Sequence, residues 1–221
     1  MRVTLGQNIR FGERMNAIKA YWDKAHAKNV TSKLSGNGKE TIHLLGVEDE
    51  FMNAVHILNI GIGTGAFEEH IRDTGRIVDA LDISELALEK VLNIARYRYL
   101  NPDALPSSEY DLVTECQVAL HLTDAEMDRH INSAIRALNM SGTYAFNAPS
   151  FIEYTEETMR CRQIEEPTVE QMFCGYFLCR PISWYCKSIR ENGGQVVKIE
   201  LCDNNTQRNV STYVYHVQKR K

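Results

Sequence analysis

The chain has 221 residues, a length typical of one domain, and 43% of them are hydrophobic, which is enough for a single core. Its formal net charge of −4 argues against a nucleic-acid-binding protein, which needs a basic surface to displace counterions. No apolar run reaches the roughly 18 residues of a membrane span. The N-terminal segment MRVTLGQNIRFGER lacks the apolar core of a signal peptide. The sequence therefore predicts a cytoplasmic protein without nucleic-acid or membrane partners.

The six cysteines agree with a reducing compartment. They form no C-x-x-C pair and no set with the spacing of metal ligands, and they lie at positions 116, 161, 174, 179, 186 and 202. Reduced, packed thiols are the simplest interpretation, and no metal site is predicted.

The first predicted elements are helical. Residues 16–27 have helical spacing and carry Tyr21 and Trp22, and a polar loop with two glycines follows. Residues 40–45 begin another helical turn. Together these elements predict an N-terminal helical cap over residues 1–54.

The most informative segment follows the cap. ILNIGIGTG, from Ile57 to Gly65, is an apolar strand ending in three glycines at alternating positions, and AFEEHIR begins a helix. Strand, glycine turn and helix place backbone N–H groups and a helix N-terminus beside a bound ligand. Glycine suits such a turn because a Cβ would restrict its dihedral angles and keep a ligand from the backbone.

A second buried strand supports this interpretation. Residues 76–82 end in Asp82, about twenty residues after the turn, and a carboxylate at that place can accept both hydroxyls of a ribose. The glycine turn and Asp82 together predict an adenosine-type cofactor. The competing interpretation is a tight turn beside an unrelated helix-capping Asp.

Strands and helices continue to alternate. Residues 84–98 predict a helix with Ser84 as N-cap, 110–115 a strand, 124–138 a helix and 143–147 a strand. Residues 148–190 interrupt the alternation and have the composition of short helices. Residues 196–201 and 211–218 predict a final pair of strands.

These motifs, in this order, resemble the class I S-adenosylmethionine-dependent methyltransferases. G-x-G-x-G at Gly61, Gly63 and Gly65 resembles their first motif, and YDLVTECQVALHL, from Tyr110 to Leu122, resembles their fourth strand and the turn after it. The resemblance covers roughly residues 50–218. It implies a doubly wound, Rossmann-like α/β fold with a seven-stranded sheet whose last strand is antiparallel. The family's third strand is expected within YRYLNPDALPSS.

The resemblance also implies a division of one methyltransferase domain over residues 1–221. The cap would be followed by a cofactor-binding core at 55–147, a substrate-side insert at 148–190 and a C-terminal strand hairpin at 191–221.

Two alternatives stay open. Gly61, Gly63 and Ala66 also satisfy G-x-G-x-x-G/A, the pattern of nicotinamide enzymes, although 56 residues precede Ile57 and dinucleotide folds usually open with that strand. In addition, Asn59 stands where the family usually carries an acid that helps organise the turn around the cofactor's ammonium group. Asn59 accepts a hydrogen bond without charge. This departure motivates a non-catalytic methyltransferase-fold protein as an alternative.

The resemblance assigns candidate residues to a site for S-adenosylmethionine. The expected cofactor contacts are Asn59, Gly61, Gly63, Thr64, Gly65, Asp82, Ile83, Asp103, Leu105 and Glu115. Glu115 is also a catalytic candidate because it ends the fourth strand, and His121 is another because histidine is a general base near neutral pH. The substrate-binding candidates are Trp22, Tyr154, Tyr176 and Arg180.

Methyl transfer from a sulfonium requires alignment of the reactants and exclusion of water more than a fixed set of catalytic residues. The N/D-P-P-Y/F signature of DNA adenine methyltransferases is absent after the fourth strand, where the chain reads Thr-Glu-Cys-Gln. We therefore expect a small-molecule acceptor, methylated on oxygen or nitrogen. The segment AYWDKAHAKN weakly resembles methyltransferases of sugar and polysaccharide pathways. This resemblance suggests a sugar or saccharide as one class of acceptor.

Overall fold

The computed structural model describes residues 11–27, 38–151, 178–205 and 210–220. Within these ranges, three helices precede the first strand: α1 (Phe11–Ala27), α2 (Gly38–Leu45) and α3 (Glu48–Asn53). Helix α1 packs against a later helix, α5 (Glu85–Lys90), and α2 packs against α4 (Ala66–Ile71). None of the helices in these ranges is long and apolar enough to cross a membrane.

The centre of the sheet is parallel. Strands β1 (His56–Ile60), β2 (Ile77–Leu81), β3 (Arg98–Tyr99) and β4 (Tyr110–Glu115) pair in the order β3-β2-β1-β4. Every residue of β1 and β2 after the first is buried. Helices on both faces of a parallel sheet exclude water from both sides of a strand, which explains the nearly continuous apolar runs in the sequence.

The remaining strands extend the sheet beyond β4. Strand β5 (Leu138–Phe151) is parallel to β4, and β8 (Val210–Lys219) is antiparallel to both β5 and β7 (Gly194–Asn205). The order is therefore β3-β2-β1-β4-β5-β8-β7, with the two-residue strand β6 (Arg180–Pro181) paired to β5. Apart from this short addition, the predicted seven-stranded, doubly wound sheet with an antiparallel last strand is confirmed.

Two helices cover the face of the sheet opposite to α4 and α5. Helix α6 (Asp124–Ala137) begins with a capping box in which Thr123 and Glu126 exchange hydrogen bonds, and α7 (Ile182–Glu191) follows β6. Their buried side chains join β1, β4, β5 and β8 in the largest apolar cluster, which includes Tyr144, Phe146, Tyr185 and Tyr215.

The helix predicted over residues 84–98 is wrong in length. Ser84 is its N-cap, since its hydroxyl accepts from the N–H of Ala87, but α5 ends at Lys90. The chain then pairs with β2, because the N–H of Arg96 donates to the carbonyl of Val78 and the N–H of Ala80 donates to the carbonyl of Tyr97. The third strand lies at Arg98–Tyr99, within the segment expected to contain it, and Arg98 also belongs to the predicted helix.

Candidate functional site

The glycine turn after β1 has the backbone conformation that the sequence indicates. Gly61, Gly63 and Gly65 have φ angles of 79°, 59° and 83°, in the left-handed region that favours glycine. A Cβ on Gly61 would also lie 2.3 Å from Cγ2 of Val118. Space and backbone conformation therefore both require glycine at position 61.

Asp82 connects this turn to the end of β2. Its two carboxylate oxygens each accept a backbone hydrogen bond of 2.9 Å, one from the N–H of Ile62 and one from the N–H of Ser84. Burial raises the pKa of Asp82 to about 6, although these bonds and a third from Gly63 favour its charged form. The carboxylate oxygens can accept further hydrogen bonds from a ligand.

A cavity of about 710 Å³ opens at the carboxyl ends of β1, β2 and β4. In doubly wound sheets this edge, where the strand order reverses, is the usual ligand site. The predicted site residues that line it are Trp22, Asn59, Gly61, Gly63, Asp82, Ile83 and His121. The structure thus brings the glycine turn, Asp82 and one N-terminal aromatic residue to one cavity.

Asn59 is hydrogen-bonded to an acid that was not among the predicted site residues. Its Nδ2 donates to Oε1 of Glu68 on α4 at 2.7 Å, and its Oδ1 accepts from Oγ1 of Thr114 at 3.0 Å. Glu68 is fully buried. Burial raises the pKa of Glu68 to about 7, with the nearby Asp82 carboxylate adding to the effect and the Asn59 hydrogen bond opposing it.

The raised pKa values of Glu68 and Asp82 predict that the stability of the ligand-free protein depends on pH. A carboxyl whose pKa is raised by folding stabilises the fold at low pH, and this contribution is lost as pH rises through the folded pKa. For Glu68 the shift from 4.5 to about 7 corresponds to about 3 kcal/mol. We expect the unfolding free energy of Glu68→Gln, measured in urea, to exceed the wild-type value by about this amount at pH 8 and by less than about 1 kcal/mol at pH 5. A difference that does not change with pH would contradict the buried charge.

Glu115 ends β4, as predicted, but it faces the interior. It is fully buried, and its Oε2 accepts from Nε2 of His130 at 2.8 Å and from the hydroxyl of Tyr144. His130, on α6, lines the cavity, whereas Glu115 does not. Glu115 is therefore joined to the cavity wall by its contact with His130.

His121 and Trp22 form one wall of the cavity. Their rings meet edge to face at 5.2 Å. Burial lowers the pKa of His121 to about 4, so its ring is neutral at physiological pH and is a weak proton acceptor.

Several predicted residues lie away from the cavity wall. Thr64 and Gly65 belong to the turn without lining the cavity. Asp103 is exposed and forms an ion pair with Arg129, and Leu105 packs in the core. The residues that line this part of the cavity are Leu100, Asn101 and Pro102.

Arg180, predicted to bind substrate, instead supports the turn between β4 and α6. It is 1% exposed and does not line the cavity. Its guanidinium donates to Asp124, to the carbonyls of Ala119 and Leu122, and to the hydroxyl of Tyr185. Tyr154 and Tyr176 lie outside the described residues.

Other residues reach the cavity without a recognisable signal in the sequence. Gln117 has a φ of 60°, unusual for a residue other than glycine, and its N–H donates to Oδ1 of Asn147 at 2.6 Å. Such backbone conformations cluster at ligand sites, but φ is not visible in a sequence. The remaining polar side chains that sequence reasoning missed are Asn16, Lys19, His26, Glu40, Thr41, Glu126, Arg129 and His130.

Comparison with known proteins agrees with this geometry. Residues 58–146, from β1 to β5, match the family model of a methyltransferase domain. No curated protein sequence matches this chain.

Solved structures share the fold at low sequence identity. A Burkholderia thailandensis 1,6-didemethyltoxoflavin-N1-methyltransferase with bound S-adenosylhomocysteine has a TM-score of 0.69 at 10% identity, over 99% of this chain and 94% of that one. A Synechocystis magnesium protoporphyrin IX methyltransferase, also with S-adenosylhomocysteine, has a TM-score of 0.65 at 12% identity, over 94% of this chain and 100% of that one. A Clostridium acetobutylicum S-adenosylmethionine-dependent methyltransferase has a TM-score of 0.63 at 12% identity, over 91% and 100%.

The fold defines a doubly wound α/β protein. Residues 58–146 match a methyltransferase domain, and the chain has the Rossmann-like fold of class I S-adenosylmethionine-dependent methyltransferases, as the sequence motifs predict.

Proposed function

We propose that the chain binds S-adenosylmethionine in this cavity and transfers its methyl group to an oxygen or nitrogen atom of a small molecule. The observation that carries the proposal is Asp82, held beside the glycine turn by Ile62 and Ser84 and facing the cavity. Its carboxylate is suited to the ribose hydroxyls. The S-adenosylhomocysteine in two proteins of the same fold supports the cofactor.

The residues present fit this cofactor. We assign Asp82 and Ile83 to the nucleoside, and Asn59 with the backbone of Gly61 and Gly63 to the amino-acid part. When bound, S-adenosylmethionine supplies a methyl group already activated by its sulfonium. The chain's own residues then have to orient the acceptor and exclude water. Trp22 and His121, packed edge to face, are suited to the second role.

We propose that His130 is the general base that removes a proton from the acceptor. Its Nε2 contacts the buried Glu115, which fixes the orientation of the ring, and the ring lies on the cavity wall. A carboxylate that orients a histidine is the usual arrangement of a general base. The predicted catalytic role of Glu115 thus becomes a role through His130, and neutral His121 becomes a packing contact.

A small molecule is the acceptor class that we propose, with a sugar or saccharide as the first class to test. The cavity, about 710 Å³, has the size of a site for small ligands. Two structural relatives are named for methylating small molecules, a toxoflavin precursor and magnesium protoporphyrin IX. We place the reaction in the cytoplasm, away from nucleic acid, and the free thiols of Cys116 and Cys186 support that placement.

Calorimetry tests the cofactor. We expect titration with S-adenosylhomocysteine to give a saturable binding heat and titration with NADH to give none, because the turn and Asp82 are assigned to an adenosine joined to an amino acid. Binding of NADH alone would establish the nicotinamide alternative. Failure of both ligands to bind would favour a non-catalytic member of the fold.

The acceptor can be sought with the same preparation. A panel of small acceptors, including nucleotide sugars, is incubated with S-adenosylmethionine, and formation of S-adenosylhomocysteine is measured. Turnover with one acceptor identifies the substrate class. A protein that binds S-adenosylhomocysteine but methylates no member of the panel would remove the sugar proposal.

A further inference from the structure

Glu68 is a buried carboxylate with one oxygen that lacks a partner. Oε1 accepts from Nδ2 of Asn59 at 2.7 Å, whereas Oε2 is buried and has no hydrogen-bond partner among the described residues. An ionised carboxylate in such a place is costly unless a positive charge compensates it. The described part of the chain shows no ion pair to Glu68, so the structure calls for a cation from elsewhere.

The position of Glu68 indicates where that cation binds. Asn59 lines the cavity, and Glu68 lies directly behind it on α4. Thr114 donates to Oδ1 of Asn59, which fixes the amide with its NH₂ group toward Glu68. The negative charge therefore lies one side chain away from the cavity wall, beside the glycine turn.

The second acid of the site strengthens this requirement. Asp82 lies close enough to Glu68 to raise its pKa. Two carboxylates near one cavity repel each other, and a bound cation relieves the repulsion. The ligand proposed above carries such a cation, the ammonium of its amino-acid part, which we have assigned to the turn and Asn59.

We propose that Glu68 is a positioning residue for the cofactor: acting through Asn59, its carboxylate supplies the negative charge that attracts the cofactor's ammonium. This inference depends on the proposed function. It explains how the site can carry a negative charge although position 59 is an asparagine. The charge is present in the site, moved from the strand to the helix that follows the glycine turn.

Glu68→Gln tests the charge while it keeps a hydrogen-bond acceptor for Asn59. We expect the Kd of S-adenosylhomocysteine, measured by calorimetry at pH 8, to rise about tenfold, since the attraction between two unit charges separated by one side chain is on the order of 1.4 kcal/mol. The comparison ligand is 5′-methylthioadenosine, which keeps the adenosine and the sulfur but has no ammonium. Its Kd is expected to stay within twofold of the wild-type value.

Two further variants separate charge from structure. Glu69→Gln removes the neighbouring carboxylate of α4, which is 56% exposed and paired with Arg72, and is expected to leave both Kd values unchanged. The exchange Asn59→Asp with Glu68→Gln moves the carboxylate back to β1 and keeps an amide–carboxylate hydrogen bond between the two positions. We expect this double variant to recover most of the affinity for S-adenosylhomocysteine.

The outcomes are distinct. Unchanged affinity in Glu68→Gln, or an equal loss for both ligands, would overturn the role of Glu68 and leave the proposed function intact. Should Glu68→Gln not fold, weak binding of S-adenosylhomocysteine by the folded double variant would overturn it as well. If wild-type protein binds neither adenosine ligand, the proposed function itself fails.

Discussion

Asp82→Asn is expected to raise the Kd of S-adenosylhomocysteine at least about 100-fold, because two charge-assisted hydrogen bonds to the ribose contribute roughly 1.5–3 kcal/mol each. The amide keeps the size of the side chain but removes its charge and one of its acceptors. Calorimetry measures the affinity, and circular dichroism during heating shows that the variant still unfolds cooperatively.

A matched control for Asp82→Asn lies three residues further along. Glu85, in the first turn of α5, is 61% exposed and does not line the cavity. We expect Glu85→Gln to bind S-adenosylhomocysteine within twofold of wild type, so that a general loss of negative charge is separated from the loss of the ribose contact. Binding by folded Asp82→Asn within fivefold of wild type would remove Asp82 from the nucleoside site.

Arg180→Ala is expected to lower the free energy of unfolding by about 3 kcal/mol. The substitution leaves the carbonyls of Ala119 and Leu122 and the hydroxyl of Tyr185 without their donor, and it empties the space of a fully buried side chain. Urea denaturation at pH 7 measures the change. This prediction follows from the structure and not from the sequence, which favoured a substrate-binding Arg180.

Arg129→Ala is the comparison for Arg180→Ala. Arg129 is 44% exposed and paired with Asp103, which is exposed to the same extent. Such a surface pair contributes less than about 1 kcal/mol, so the stability should change little. Equal stability of Arg180→Ala and the wild type would restore the interpretation of Arg180 as a ligand-binding residue.

The sequence predicted the elements whose physical requirements are local. Strands β1, β2 and β4 are buried on both faces and are rich in apolar residues, and their bounds were predicted to within one residue. The positive φ angles of the turn left only glycine suitable, and Asp82 follows from its place at the end of β2.

Residues that depend on tertiary packing were not predictable in this way. Glu68 and Glu69 are neighbours of the same type in AFEEHIR, yet packing of α4 buries the first and exposes the second. His130 reaches the cavity only because α6 lies over the end of β4. The end of α5 at Lys90 was not predicted either, because helical spacing continues beyond it in the sequence, whereas β3 lies within the segment expected to contain the third strand.

Helix α1 is connected to the nucleoside site by a short chain of hydrogen bonds. Oδ1 of Asp23 accepts from the Ser84 hydroxyl at 2.5 Å, and the N–H of Ser84 donates to Asp82 at 2.9 Å. Lys90 of α5 contacts both His26 of α1 and the carbonyl of Gly63. Thermodynamic coupling is reciprocal. If packing of α1 against the sheet increases the affinity for the proposed nucleoside, binding of the nucleoside stabilises the packing of α1 by the same free energy. A ligand in the cavity would therefore stabilise the helix that forms part of the cavity wall.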